Sequence, residues 1–288
     1  MIALIVKIVK TGIVLLVGFA LFGCATSVKG RLDTARQITG QAGFQPITFN
    51  TDMFRIAGFF KSAPTGDKVA SVYIEGDGFA WIDRYTISGN PTPRNPVALK
   101  LAVRDPSPSV FYLARPCQYV DLKQERFCNS KYWTNYRFSS DVIQSYNQVL
   151  DNIRDRFGVS GFNLVGFSGG GAVAVLVASG RADIVSIRTV AGNLDHVTLN
   201  RRKGVSPLSG SLNAVDVAAK VSGIPQIHFT GTQDNIIGPY IADIFKARAG
   251  RTDCIAIRRV PGASHTGGWP DKWRDLVKSA LPDCNRTP

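Results

Sequence analysis

Histidine is nearly missing from this chain: three copies in 288 residues, at positions 196, 228 and 265. Metal-ligand motifs need clustered His, Cys, Asp or Glu, so no metal is expected. Charge is also sparse, at 19% of residues, and the 21 acids are well outnumbered by 34 Lys and Arg. Set against 44% hydrophobic residues, this composition excludes a disordered or fibrous chain. The basic residues are scattered, with no zinc-ligand spacing or RNP-like motif to gather them, which argues against nucleic acid as a partner. A net charge of +13 instead fits anionic surroundings such as phospholipid headgroups or an anionic envelope polymer. Internal repeats and low-complexity segments are absent, and the length suits one large α/β domain or two smaller ones.

Acids are missing altogether from residues 1–23, which carry Lys7 and Lys10 and then an apolar run, Thr11 to Gly23. That run is too short for a transmembrane helix, which needs about 18 to 20 apolar residues, and fits the apolar region of a secretory signal, about 7 to 15. Export is therefore expected; an uncleaved anchor or an ordinary secretory signal are the other readings. Leu21-Phe22-Gly23-Cys24 resembles the lipobox of bacterial lipoproteins. The resemblance implies a signal peptide at 1–23, a diacylglycerol thioether on Cys24 and a tether over 24–45. With Ala25 after the cysteine it implies an envelope protein lipid-anchored at the outer membrane and facing the periplasm. Lys29, Arg31 and Arg36 would then lie close to headgroups, or simply in a solvated tether.

Five cysteines less a lipidated Cys24 leave Cys117, Cys128, Cys254 and Cys284, an even number suited to an oxidising compartment. Of the three pairings we expect Cys117–Cys128 and Cys254–Cys284. Cys254 opens a strand-like run and Cys284 follows the next helix, which in a parallel sheet returns to the end where its strand began. Buried free thiols are the alternative.

From residue 46 onward, extended runs at 46–50, 53–61, 69–74, 110–114, 162–167, 184–190, 224–230 and 255–260 are followed or separated by helical patterns at 96–103, 140–157, 169–179, 212–221, 239–249 and 271–281. Short apolar, β-branched runs between helices predict a mostly parallel sheet covered on both faces, in a single domain over 46–288. Within it, Gly166-Phe167-Ser168-Gly169-Gly170 puts a serine between a strand and an apolar helix, with glycines two before and two after. Such glycines permit a turn so tight that Cβ atoms would collide, and it exposes the serine hydroxyl. A phosphate-binding loop would show the Lys-Ser/Thr of a P-loop or a G-x-G-x-x-G spacing instead, so no cofactor is expected.

At this point the chain resembles the α/β-hydrolase superfamily, in which nucleophile, acid and histidine each follow their own strand. The resemblance implies Ser168 as nucleophile, Asp234 after the run 224–230 as acid and His265 after the run 255–260 as base. It implies oxyanion N–H donors at Gly169 and, in Glu75-Gly76-Asp77-Gly78, at Asp77 or Gly78. A carboxylate beside an oxyanion is unfavourable, so the Asp77 side chain is expected to turn away and bond the loop backbone. His228 reads as a core residue, Asp195–His196 remains a rival pair, and Asp183 and Asp216 should lie away from the site. The aromatic segment with Tyr119, Phe127, Tyr132, Trp133, Tyr136 and Phe138 reads as a disulfide-braced wall of the substrate site, or as core packing. The runs Glu75–Gly78, Arg115–Tyr119 and Ala191–Asp195 resemble uncharacterised bacterial envelope lipoprotein hydrolases. The expected activity is hydrolysis of small-molecule carboxylic esters through an acyl-enzyme. The alternatives are an amidase or peptidase of the same fold, or a non-catalytic lipoprotein that binds envelope polymer.

Overall fold

The computed structural model describes residues 27–62, 68–250 and 253–284; the expected signal peptide and Cys24 lie outside them. Eight strands form one sheet: β1 (Gln45–Asn50), β2 (Arg55–Lys61), β3 (Val69–Ile74), β4 (Val110–Leu113), β5 (Gly161–Phe167), β6 (Ile184–Val190), β7 (Gln226–Gly231) and β8 (Ile255–Val260). Their spatial order is β1-β2-β4-β3-β5-β6-β7-β8. β1 and β2 are antiparallel, and so are β2 and β4. From β4 through β8 every pairing is parallel, as expected for apolar runs alternating with helices. β3 and β5 are central and neighbours, so the loops that follow them open side by side.

One face of the sheet packs against α3 (Ser140–Phe157), α4 (Gly169–Ala178), a 3₁₀ segment (Ala214–Val221) and α6 (Tyr240–Arg248). α3 shows why these segments are helical. Val142, Ile143, Tyr146, Val149, Leu150 and Ile153 recur at helical spacing and are buried, basic residues close its last turn, and Gly158 ends it in the left-handed conformation at φ 68°. α4 is buried on every side, which explains its all-apolar sequence. The other face carries α1 (Val28–Gln41), α2 (Val97–Ala102) and α7 (Pro270–Leu276), with Trp269 and Trp273 fully buried. α5 (His196–Lys203) follows β6. Two disulfides, Cys117–Cys128 and Cys254–Cys284, join the expected pairs.

The expected tether is corrected by α1. Residues 28–41 form a helix capped by the Ser27 hydroxyl, which accepts from the Gly30 N–H. Ala35 is buried in the core of the second face, and Arg31 donates to the main-chain oxygen of Thr92 at 2.9 Å. The high polarity of this stretch hid a narrow packing face of small and aliphatic residues. A charge introduced at Ala35 has no water to reach. Ala35→Asp is expected to lower the unfolding free energy by about 3 kcal/mol in urea titration, whereas a solvated tether would leave it unchanged.

Candidate active site

β5 ends at Phe167 and α4 begins at Gly169, so Ser168 alone makes the strand-to-helix turn. It does so at φ 52° and ψ −118°, a sparsely populated region for a residue with a side chain, at a cost of about 1 to 3 kcal/mol. The glycines meet a steric demand: a Cβ on Gly166 would lie 2.2 Å from the Gly170 oxygen, and one on Gly170 would lie 2.2 Å from the Ile74 oxygen. The turn is tied down from the β6 side. Ser168 N–H donates to Val190 O, and Asn193 N–H donates to Ser168 O, both at 2.9 Å.

His265 Nε2 lies 3.0 Å from the Ser168 Oγ, and its Nδ1 lies 3.0 Å from Asp234 Oδ2. The second Asp234 oxygen accepts from the N–H groups of Ile236 and Ile237 at 2.8 and 2.9 Å. Held this way, a fully buried carboxylate requires the hydrogen on Nδ1, leaving Nε2 as a base facing the hydroxyl. The acid and histidine loops are laced together: Gln233 N–H donates to Ala263 O at 2.9 Å, and Gly262 N–H donates to the Thr232 hydroxyl at 3.0 Å. Trp269 donates its indole N–H to the main-chain oxygens of Ser264 and His265, fixing the histidine from behind.

The loop after β3 faces the same serine. Gly76 N–H is already engaged by the Glu75 carboxylate at 2.9 Å. Among the described residues no acceptor takes the N–H of Asp77 or Gly78, so these and Gly169 N–H at the start of α4 are the donors available to an oxyanion. Gly78 adopts φ 69°, and a Cβ there would sit 2.1 Å from Pro91 O.

The Asp77 side chain does not bond the loop backbone as expected. Its carboxylate packs on Gly169, where a Cβ would be 2.1 Å from Oδ1, and it is clasped by Arg115 Nη1 at 3.0 Å and Arg137 Nη1 at 2.6 Å. Burial alone would raise its pKa, but the Arg137 and Arg115 guanidinium groups hold it below the usual carboxylate range. Two cations around one anion leave no net negative field beside the oxyanion donors. Glu75 is buried without a cation. Desolvation pushes it up to about 7, although the N–H groups of Gly76 and Ala98 and the Tyr112 hydroxyl pull the other way.

A cavity of about 540 Å³ opens over Ser168 and His265 and is walled by Phe79, Trp81, Phe167 and Arg137. None of the six rings of the expected aromatic wall lines it. Three of them are buried in the fold instead, Tyr132, Trp133 and Phe138, while Tyr136 is exposed: Tyr132 packs edge-on against Phe54, and Trp133 donates its indole N–H to Ser88 O at 3.0 Å. Arg115, Arg137, Phe79 and Trp81 carry no motif, and only the folded chain brings them to the serine. The rival pair is separate. Asp195 caps α5 by accepting from Thr198 N–H, and His196 Nε2 faces Leu212 O at 3.2 Å. His228 is a core residue: its Nδ1 bonds the Thr189 hydroxyl at 2.8 Å, and burial depresses its pKa to about 3. Asp183 pairs with Arg181, and Asp216 lines a different cavity.

No protein-family model matches the chain, and no curated protein does. Solved structures do. An esterase from Pyrococcus furiosus aligns over 83% of this chain and 92% of its own at TM-score 0.59 and 14% identity. An alpha-beta serine hydrolase homologue from Coxiella burnetii aligns over 81% and 95% at 0.57 and 14%. A membrane phospholipase A, described as a novel bacterial virulence factor, aligns over 95% and 100% at 0.57 and 14%. Identities this low speak to fold, and the fold is that of the α/β hydrolases.

Two outcomes follow from the acids of the β3 loop. Asp77→Asn leaves Arg115, 4% exposed, without its counter-charge, and is expected to lower stability by about 3 kcal/mol in urea titration. Glu75 behaves oppositely with pH. Its folded pKa of about 7 lies above the ordinary 4.5, so the folded protein keeps a proton that the unfolded chain releases, and stability falls as pH rises through that window. The loss is roughly 3 kcal/mol. Glu75→Gln should flatten this part of the stability–pH profile between about pH 5 and about pH 8; an unchanged slope would assign it to another group.

Proposed function

We propose that this chain is a serine hydrolase of carboxylic esters, exported and anchored to the bacterial envelope through Cys24. The observation that carries the reading is the relay from Asp234 through His265 to a serine held in a strained turn, each link at 3.0 Å. In the reaction, His265 Nε2 takes the Ser168 proton as Oγ attacks the ester carbonyl. The oxyanion accepts from the N–H of Gly169 and of Asp77 or Gly78, and Asp234 balances the imidazolium. Collapse expels the alcohol, which leaves with the proton held by His265. A water molecule, deprotonated by His265, then adds to the acyl-enzyme and releases the acid and free Ser168. The rings of Phe79, Trp81 and Phe167 in the cavity wall suit an apolar acyl or aryl group, and esters are put before amides because an alcohol is the better leaving group from the tetrahedral intermediate. The export part of the reading is supported by the two disulfides, which persist in oxidising compartments.

The test is labelling of the full chain, expressed in bacteria, with a fluorophosphonate probe. Labelling in the membrane fraction is expected for the wild type and for His196→Ala, with loss in Ser168→Ala and His265→Ala. Cys24→Ser should move the labelled protein out of the membrane fraction. A folded wild type that resists the probe sinks the hydrolase reading, and a Cys24→Ser protein that stays membrane-bound sinks the anchor.

A further inference from the structure

The cavity over Ser168 does not end at its own walls. It shares Trp81 and Arg137 with a second cavity of about 560 Å³, and that one shares Asn200, Val205, Pro207 and Leu208 with a third of about 780 Å³. The three cavities thus lie in a row, each sharing wall residues with the next, from the nucleophile past the short hairpin in which Trp81 pairs with Ile87 to residues of α5, α3 and α4. The third cavity is lined by Ile143, Leu176, Leu212 and Val217 together with polar residues such as Asn200 and Asp216. Of the eleven large apolar side chains that stay exposed among the described residues, six border this trough of cavities: Trp81, Ile87, Val197, Val205, Leu212 and Ile236. Leaving such groups in water beside neighbouring cavities is unfavourable unless something apolar is laid over them.

We propose that the trough receives the long acyl chain of the substrate, so that the esters cleaved at Ser168 are those of long-chain fatty acids rather than of acetate or other short acids. This rests on the serine-hydrolase reading. The row begins at the nucleophile, where the acyl carbon must lie; in its middle cavity Trp81, Ile87, Val205, Pro207 and Leu208 offer an apolar track beside polar residues such as Asp83, Arg84 and Asn193, which fits a chain extending from that carbon. Each methylene moved from water onto these walls adds favourable transfer free energy, so selectivity should rise with chain length until the third cavity is filled. Val205, shared by the second and third cavities, and Leu212, in the third, are the residues on which the preference depends.

The test compares p-nitrophenyl acetate with the decanoate and dodecanoate. Wild type is expected to show a long-to-short ratio of kcat/KM of about tenfold or more. Val205→Asp with Leu212→Asp, both at positions 46% exposed and so tolerant of charge, should cut that ratio about tenfold through a loss of kcat/KM on the long esters. Val185→Asp, at a position 44% exposed and outside the trough, should behave as wild type. A wild type that prefers acetate, or a double variant with an unaltered ratio, overturns the proposal and leaves the hydrolase reading intact. Binding of the fluorescent fatty acid cis-parinaric acid to Ser168→Ala gives a readout without turnover. Binding that the Val205 and Leu212 changes weaken about tenfold supports the trough even if no ester is cleaved, in which case it is the hydrolase reading that fails. Absence of parinaric acid binding overturns the trough whatever the turnover.

Discussion

Ser168 has no room to relax. A strand and a buried helix meet on that one residue, and its φ of 52° persists only because the surroundings over-determine it. Gly170 touches the end of β3, Gly166 touches the first turn of α4, and Asn193 from the loop after β6 grips the Ser168 carbonyl. The turn is thus a joint between three central strands. A larger side chain at Gly170 would push away the end of β3 and the loop after it, whose free N–H groups face Ser168, and one at Gly166 would push α4 off the turn. This explains why α4 is apolar on every face. A helix that must start at a strained turn in the middle of the sheet cannot tilt a polar side toward water, so all ten of its residues are buried.

The same closeness creates an electrostatic problem that the fold answers with arginine. Asp77 sits against Gly169, where a reacting carbonyl would develop negative charge, and a bare carboxylate there would oppose the reaction. Arg115 and Arg137 share it, and Arg115 also donates to the Arg137 carbonyl, so the three groups behave as one cationic unit that fixes the loop. Glu75, two residues earlier, has no cation and is instead held by N–H groups and the Tyr112 hydroxyl. The neighbouring acids are therefore driven in opposite directions by their partners: one kept charged, the other pushed toward the proton.

The order of elements and the residues that meet at Ser168 were legible because both leave local marks. Apolar runs of strand length between helical patterns gave the parallel sheet, the glycine spacing gave the turn, and Asp234 and His265 each follow a strand of the proper rank. What was not legible depends on distance. Arg137 reaches Asp77 across sixty residues, and nothing in its local sequence separates it from other surface arginines. The aromatic segment looked like a pocket wall because its composition is that of one; in the fold Tyr132, Trp133 and Phe138 go to the core and Tyr136 to the surface. Residues 28–41 looked like a tether because only a few small side chains make the buried face of α1, too weak a pattern to outweigh its polarity.

That helix connects the N-terminal region to the mouth of the site. Arg31 on α1 donates to Thr92 O and lies 5.0 Å from the Phe79 ring, while Arg94 stacks on the same ring at 3.6 Å. Phe79 borders the cavity over Ser168 and leads into the hairpin of Trp81 and Ile87, whose far strand is held by Trp133 through Ser88 O. The mouth is thus clamped from both sides, by α1 through Arg31 and by the segment after Cys128 through Trp133. Its tip is left free to face outward, with Ile82 and Tyr85 exposed. A mouth built this way is rigid at its base, so the shape of the trough entrance is set by packing already present in the folded chain rather than by the arrival of a substrate.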